Sequence, residues 1–214
     1  MEKITTDMLP GLFEAVAAQF AAHAELLCEM DSKMGDGDLG LTMRKGFGGL
    51  PDILRQMGEA DLSKLLRKAG MEMTDLVPST MGMLMGTGIS YGGKALAGRT
   101  ELDAEGLVLF LKGFAEGIQK RGKCARGDCT VLDCIGAAAE EAEAVFEKEA
   151  EGDLEEVCQA ALQGAEKGVE ATKQMTPRYG KAAVHQSVSN GTADQGAVAG
   201  LVMVRGITDY IVGQ

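Results

Sequence analysis

Eight segments of this chain repeat apolar residues at the three- to four-residue spacing of an amphipathic helix. Clusters of glycine, proline or aspartate separate these segments, and most of the connections are short. The predicted helices are Thr5–Glu29, Gly40–Gln56, Leu62–Leu76, Thr80–Ala97, Ala104–Lys120, Thr130–Ala150, Leu154–Met175 and Asp194–Val212. Helices joined by short connections favour antiparallel neighbours. The pattern therefore predicts an all-α fold, an eight-helix antiparallel up-down barrel or bundle.

The composition agrees with one helical domain over residues 1–214. Tryptophan is absent, aromatic residues make up 4% of the chain, and Ala, Leu, Met and Glu are abundant. A chain of 214 residues can bury one sizeable core, so we expect a single domain.

Charge and hydropathy argue against several classes of function. The formal net charge of −11 argues against a nucleic-acid partner, because nucleic-acid binders present basic surfaces. No apolar run approaches the length of a membrane span, and the N-terminus lacks the basic start and apolar core of a signal peptide. We therefore expect a cytoplasmic protein with no nucleic-acid partner and no membrane partner.

The five cysteines show no metal-binding or redox motif. Cys124, Cys129 and Cys134 recur every five residues, which is neither a CxxC pair nor a zinc spacing. Cys28 and Cys158 lie within helical patterns. We expect all five to serve as small core residues.

The up-down topology has a consequence for the loops, because alternate loops emerge at the same end of such a bundle. One end would carry the loops Asp31–Asp38, Pro78–Gly82, Gly122–Cys129 and Thr176–Gly191. The other end would carry Gly58–Asp61, Gly98–Asp103 and Glu151–Asp153, which are short and without special chemistry. All the unusual sequence therefore falls at one end, where we expect the functional site.

Three aspartates, Asp31, Asp36 and Asp38, crowd into the first of these loops beside several glycines. Converging carboxylates repel one another unless a cation lies between them, and hard oxygen ligands suit Mg²⁺ or Ca²⁺. An EF-hand is excluded, because the position of its closing glutamate falls on Phe47 or Thr42. A plain turn with a helix cap remains the alternative interpretation.

Two further loops at this end begin helices with capping residues. Ser79 and Thr80 are candidate caps that leave backbone N–H groups to receive an anion, although no Walker A sequence follows. The segment Gly127–Asp133 offers a second capped start. Helix packing and an ordinary helix N-terminus are the respective alternatives.

The fourth loop is the longest, and long loops in compact helical domains commonly close over a ligand. Arg178 and Lys181 are its candidate phosphate partners, and a solvated basic pair is the alternative. His185 has no metal or nucleophile partner in view, so we assign it no catalytic role.

Taken in chain order, the four loops resemble the motifs of the nucleotide-binding L subunit of dihydroxyacetone kinase, which defines the DhaL or DAK2-domain family. The matches span nearly the whole chain. They are Asp31, Asp36, Gly37, Asp38 and Gly40 in the first loop; Ser79–Gly82, Gly86 and Thr87 in the second; Gly127, Asp128, Thr130, Leu132 and Asp133 in the third; and Gly180, Lys181, Ala182, Ser189, Gly191, Asp194, Gly196 and Ala197 in the fourth.

The resemblance implies an eight-helix barrel with the nucleotide, ADP or ATP, held at one end. Asp31, Asp36 and Asp38 would hold Mg²⁺, two ions in this family, and no side chain is implied as a catalytic acid or base. The implied nucleotide-binding residues are Ser79, Thr80, Met81, Gly82, Gly127, Thr130, Val131, Arg178, Lys181, Asp194 and Gly196.

The implied activity is that of a phosphotransferase of the glycerone kinase type. The chain would transfer phosphate to dihydroxyacetone, or a related small hydroxyketone, held on a histidine of a separate K-type subunit. The sequence leaves open whether free ATP or an M-type phosphocarrier of the phosphotransferase system supplies the phosphate. A nucleotide-loaded regulatory module that docks on a phosphocarrier or transcription factor is the alternative, and a plain helical scaffold is a third.

Five positions depart from the pattern that this family shows. Leu39 replaces a histidine, Met81 a serine, Val131 a methionine, Lys181 an arginine and Gln195 a proline. These departures leave the exact substrate open.

Overall fold

The computed structural model describes residues 1–148, 152–184 and 191–213. In these ranges the chain forms nine α-helices, one 3₁₀ turn at Lys181–Ala183 and two short strands. The helices are α1 (Leu9–Ala22), α2 (Ala24–Ser32), α3 (Leu39–Met57), α4 (Leu62–Leu76), α5 (Thr80–Ala95), α6 (Ala104–Gly122), α7 (Val131–Lys148), α8 (Leu154–Thr172) and α9 (Gln195–Val212). Strands β1 (Ile4–Thr5) and β2 (Glu101–Leu102) pair antiparallel, with Ile4 opposite Leu102.

The helices form a closed ring around one apolar core. From α3 onward each helix packs against the next, and α1 packs against both α3 and α9 to close the ring. Phe20 of α1 stacks on Phe47 of α3 with ring centroids 4.5 Å apart, and both side chains are fully buried. The structure confirms the predicted all-α, up-down architecture. Because α2 continues the path of α1, these two helices together occupy one position, and the nine helices fill eight positions around the ring.

The helix predicted over Thr5–Glu29 is wrong as a single element. Thr5 belongs to β1, and the helical path is interrupted at His23, whose φ of −103° and ψ of 7° depart from helical values. The ring Nδ1 of His23 lies 2.8 Å from the carbonyl oxygen of Gln19, the same oxygen that its backbone N–H reaches. Local side-chain bonding of this kind is invisible to an apolar repeat that runs through the break.

The remaining helix boundaries agree with the sequence patterns to within three residues, and their caps explain why. Asp61, Ser79, Asp103, Asp153 and Asp194 each precede a helix and accept a hydrogen bond from a first-turn N–H group. The predicted end of the sixth helix at Ala150 falls outside the described residues.

The connections alternate between the two ends of the ring as the topology requires. The loops α2–α3, α4–α5, α6–α7 and α8–α9 share one end, hereafter the loop end, and β1 and β2 lie at the other. Among the described helices, none combines the length and apolar character needed to cross a bilayer. The prediction of one domain over residues 1–214 stays a prediction.

Candidate nucleotide and metal site

The three aspartates of the first loop converge in the folded chain. Asp31 lies in the last turn of α2, Asp36 lies in the loop, and Asp38 directly precedes α3. One carboxylate oxygen from each residue can be chosen such that all three lie within 4.8 Å of one another. Asp31 is 9% exposed, whereas Asp36 and Asp38 are open to solvent. The group therefore has one buried anchor and two accessible carboxylates.

Backbone hydrogen bonds fix the orientation of Asp31. Its Oδ2 accepts the N–H groups of Gly37 and Asp38 at 2.9 and 3.2 Å. Its carbonyl oxygen accepts the N–H of Met34 at 3.0 Å, so the chain folds back over the end of α2. Gly37 adopts a φ of +75°, the left-handed region that glycine enters without steric cost. The loop thus holds the carboxylate in place before any ligand arrives.

An all-carboxylate set of this kind fits a hard divalent cation. Three negative charges at this spacing repel, and a cation between them removes the repulsion. Oxygen ligands without histidine or cysteine favour Mg²⁺ or Ca²⁺ over transition metals. Mg²⁺ is commonly bound through a few carboxylates together with substrate phosphates, which requires accessible ligands such as Asp36 and Asp38.

The second loop presents the start of α5. Ser79 has extended backbone geometry, and its Oγ accepts the N–H of Gly82 at 3.0 Å. Ser79 is therefore the cap, and Thr80 is the first residue of the helix with an exposed side chain. The backbone N–H groups of Thr80 and Met81 come before that of Gly82, which is the one bonded to Ser79 Oγ. A helix start arranged in this way attracts anions.

The third loop is held from inside α7 by a residue to which the sequence analysis gave no role. Asp133 is fully buried, and its two carboxylate oxygens accept the N–H groups of Gly127 at 2.5 Å and Thr130 at 2.8 Å. Thr130 Oγ1 in turn accepts the N–H of Leu132 at 3.2 Å. The motif match included Asp133, but only the fold shows that it shapes the turn that carries Gly127 and Thr130.

Arg178 joins the fourth loop to the third. Its N–H donates to the carbonyl oxygen of Asp128 at 3.2 Å, and its guanidinium lies 3.4 Å from the Asp128 carboxylate. The same carboxylate accepts the N–H of Ala125 at 2.7 Å. The Tyr179 hydroxyl donates to the carbonyl oxygen of Lys123 at 2.7 Å. The Arg178 side chain is 72% exposed, so its predicted role as a phosphate partner stays a prediction.

The sequence also pointed to Lys181, His185 and Ser189 in this loop, and only the first of them lies in the described part of the chain. Lys181 begins the 3₁₀ turn, and its predicted role as a phosphate partner stays a prediction. His185 and Ser189 lie outside the described residues.

Asp194 caps α9 from a buried position. Its Oδ2 accepts the N–H of Ala197 at 2.8 Å, and its own N–H donates to Thr172 Oγ1 at 3.0 Å. Burial, together with the nearby charge of Asp133, raises the pKa of Asp194 to about 7. The Asp194 carboxyl group therefore holds the first turn of α9, and its predicted role in nucleotide binding stays a prediction.

Three predicted nucleotide-binding residues meet where α5, α7 and α9 begin. A Cβ atom added to Gly196 would lie 2.9 Å from Met81 Cε and 3.5 Å from the backbone nitrogen of Val131. The ring thus brings the first turns of three helices together across the loop end. No local sequence signal could have revealed this contact, because the residues are 50 or more positions apart.

The core role predicted for the cysteines is confirmed for four of them, whereas Cys28 is only partly buried. Cys124, Cys129 and Cys134 are all buried. Burial raises the pKa of the Cys129 thiol to about 12 and also raises that of Cys134. Both thiols therefore remain protonated at neutral pH, which makes them poor nucleophiles and poor metal ligands.

Residues 33–209 match the DAK2 domain family. The chain is 34% identical over 182 residues to the ADP-binding subunit DhaL of PEP-dependent dihydroxyacetone kinase 1 from Listeria innocua, covering 85% of this chain and 84% of that subunit. It is 28% identical over 186 residues to the corresponding DhaL subunit of Escherichia coli, covering 87% and 88%. Human triokinase/FMN cyclase is 30% identical over 201 residues, which cover 94% of this chain and 34% of that protein.

The fold is similar to part of a solved kinase. The native crystal structure of the dihydroxyacetone kinase of C. freundii superposes with a TM-score of 0.69 at 21% identity, covering 98% of this chain and 35% of that one. The same protein in complex with AMP-PNP and Mg²⁺ matches equally well. On the extent of the sequence match, the chain belongs to the DAK2 domain family.

Proposed function

We propose that this chain is the Mg-nucleotide-binding subunit of a two-component kinase. The observation that carries the proposal is the convergence of Asp31, Asp36 and Asp38 at the same end of the ring as the start of α5. Two relatives that this chain matches over most of their length are named as ADP-binding subunits of dihydroxyacetone kinase, which supports the assignment. The substrate in this proposal is dihydroxyacetone or a related small hydroxyketone, and the chain acts as one domain.

The residues at the loop end would bind the metal ions and the nucleotide. Asp31, Asp36 and Asp38 would hold two Mg²⁺ ions, and the bound metal would neutralise the charge of the phosphates during transfer. The N–H groups at the start of α5 would receive phosphate oxygens. The proposed nucleotide contacts are Ser79, Thr80, Met81, Gly82, Gly127, Thr130, Val131, Arg178, Lys181 and Gly196, with Asp194 supporting them from below.

This arrangement catalyses mainly through position and charge. Phosphoryl transfer needs the donor and acceptor oxygens in line and the phosphate charge neutralised, and neither requirement needs a general base on this chain. We place the hydroxyketone on a K-type partner subunit that docks at the loop end. The chain alone is therefore expected to bind nucleotide without turnover.

The names of two relatives suggest which compound donates the phosphate. The relatives from Listeria innocua and Escherichia coli are named as PEP-dependent and ADP-binding. We accordingly propose that ADP stays bound to this chain and that an M-type phosphocarrier recharges it. Free ATP as donor is the competing possibility.

Calorimetry with Mg-ADP tests the metal assignment. We expect Asp36→Ala to weaken Mg-ADP binding at least tenfold, which corresponds to about 1.4 kcal/mol. Asp52→Ala is the matched control, because Asp52 is an exposed aspartate of α3 that pairs with Arg55 far along the helix. Equal affinities for wild type and Asp36→Ala would contradict the assignment.

Reconstitution tests the activity. The chain is mixed with a K-type subunit and dihydroxyacetone, and then given either ATP or PEP with the phosphotransferase components. Turnover with PEP alone supports the recharging proposal, and turnover with ATP alone supports free ATP as donor. Tight nucleotide binding without turnover in either mixture would favour the regulatory module.

A further inference from the structure

Arg126 lies in the third loop, directly before Gly127, and its side chain runs across the surface of α7. Its Nη1 donates to Glu140 Oε1 at 2.8 Å, and its Nε lies 3.8 Å from Asp133 Oδ1. Asp133, Gly136 and Glu140 are spaced three and four residues apart, so they share one face of the helix. The guanidinium therefore connects a buried carboxylate of α7 with an exposed one.

Gly136 provides the space through which this side chain passes. A Cβ atom added to Gly136 would lie 2.8 Å from Arg126 Cδ and 3.1 Å from Cζ, and the first distance is too short for a real contact. A glycine in the middle of a helix is less favourable than an alanine. The close approach of Arg126 gives this glycine a packing role that alanine would not fill.

The Asp133 carboxylate benefits from a positive charge beside it. Its side chain is 1% exposed, and burial of an unpaired carboxylate is costly. A second buried carboxyl group, that of Asp194, is close enough for the Asp133 charge to add to the effect of burial in raising the pKa of Asp194. Arg126 supplies a cation next to Oδ1 of Asp133, the same oxygen that accepts the N–H of Gly127. This contact stabilises the carboxylate, the form in which both oxygens are acceptors.

We infer that Arg126 is a positioning residue for nucleotide binding and that it acts through Asp133. With the charge of Arg126 beside it, the Asp133 carboxylate holds the N–H groups of Gly127 and Thr130 and fixes the turn that carries them. The inference rests on the proposed function, in which this turn contacts the nucleotide, and Arg126 itself touches no ligand. The pair with Glu140 is exposed and should contribute little.

Calorimetry with Mg-ADP on charge variants tests this role. We expect Arg126→Gln to bind Mg-ADP about 3- to 10-fold more weakly than wild type, and Arg126→Lys, which keeps the charge, to recover most of the loss. Glu140→Gln is the matched control, because it removes the exposed partner of the same guanidinium and should change the affinity by less than about 2-fold. A loss in Glu140→Gln as large as that in Arg126→Gln would contradict action through Asp133.

A double-mutant cycle separates action through Asp133 from a direct attraction between Arg126 and the nucleotide. On the Asp133→Asn background, Arg126→Gln should change the affinity for Mg-ADP by less than about 2-fold, because the carboxylate that Arg126 stabilises is absent. Equal losses on the wild-type and Asp133→Asn backgrounds would show that Arg126 acts independently of Asp133 and would overturn the inference.

Gly136→Ala dislodges the arginine without changing any charge. The added methyl group would meet the Arg126 side chain, which is flexible and would have to move away from Asp133. We expect the affinity for Mg-ADP to fall about 3- to 10-fold, while the melting temperature of the nucleotide-free chain changes little, because the higher helix propensity of alanine offsets the lost contact. Gly48→Ala is the control, since Gly48 lies within α3 and a Cβ atom there would have nothing within 4 Å.

Two further results would overturn the inference. If wild type binds Mg-ADP and both Arg126→Gln and Gly136→Ala bind it equally well, the inference fails and the proposed function stands. If wild type does not bind Mg-ADP, the proposed function itself fails and the inference fails with it.

Discussion

The loop end contains two groups of aspartates that the fold treats in opposite ways. In the first loop, Asp36 and Asp38 face solvent beside Asp31, and their oxygens converge with its carboxylate. Under the third and fourth loops, Asp133 and Asp194 are buried and accept backbone N–H groups. Aspartate therefore serves as an accessible candidate cation ligand at Asp36 and Asp38 and as a loop support at Asp133 and Asp194. Asp31 does both, because it is buried and accepts the N–H groups of Gly37 and Asp38. Accessibility and the available donors decide between these roles.

The largest expected effect is a pH dependence of stability that comes from Asp194. Its pKa is raised from 3.8 to about 7, so the folded chain holds a proton that the unfolded chain releases. Stability from this residue is therefore complete below pH 4, falls as the pH rises toward 7, and then levels off, with an upper limit of about 4 kcal/mol.

The measurement is urea unfolding at several pH values for wild type and Asp194→Asn. Asparagine caps helices well but does not titrate, so the difference between the two curves should change between pH 4 and 7. A difference that does not vary with pH between 4 and 7 would contradict the raised pKa of Asp194 in the folded chain.

Removal of Asp133 is expected to have the next largest effect. Asp133→Ala leaves the N–H groups of Gly127 and Thr130 without their acceptor in a buried turn, which should lower the free energy of unfolding by about 3 kcal/mol. Asp133→Asn keeps one acceptor oxygen and should lose less. Denaturant unfolding checks this, and a loss below about 1 kcal/mol for the alanine variant would remove the distinction between the two groups.

Substitutions in the exposed group should act on ligand binding more than on folding. Saturating Mg-ADP at about 100 times its dissociation constant should stabilise wild type by about 2.7 kcal/mol. We expect Asp38→Asn to lose most of this gain, while the nucleotide-free protein changes by less than about 1 kcal/mol. Thermal unfolding with and without Mg-ADP measures both quantities. If Asp38→Asn strongly destabilises the nucleotide-free protein, Asp38 supports the fold as Asp133 and Asp194 do, which would contradict this prediction.

The smallest expected effect concerns the contact between the third and fourth loops. Because the Arg178 side chain is 72% exposed, its ion pair with Asp128 should contribute less than about 1 kcal/mol. Arg178→Gln should therefore leave unfolding nearly unchanged. If Arg178 binds phosphate as predicted, the same variant should weaken Mg-ADP binding measurably, whereas Arg205→Gln, which breaks an exposed pair with Glu166, should not.

The helices were predictable because apolar repeats and caps are local. The repeat that begins at Leu62 ends at Leu76 in the structure as in the prediction, with Asp61 as its cap. The break at His23 was not predictable, since the apolar repeat runs through it and the contact between His23 and Gln19 that accompanies it leaves no mark on that repeat. The two-residue strands were missed because segments this short carry no period.

The site was predictable to the extent that its residues are neighbours in sequence. Asp31, Asp36 and Asp38 fall within eight residues, and the chemistry of carboxylates suggested a cation before the fold was known. The burial of Asp133 and Asp194 was not predictable, because burial depends on elements far away in the chain. The engagement of Arg178 by Asp128 has the same cause, since the two residues are 50 positions apart.

By itself, the sequence determined the all-α class, the order of the helices, the loops that share one end, and the family. Local periodicity, capping and motif spacing are sufficient for these. Only the tertiary structure decided which aspartates are exposed and which helix starts meet at Gly196. Those properties depend on distances between residues that are remote in sequence, and closing the ring is what sets these distances.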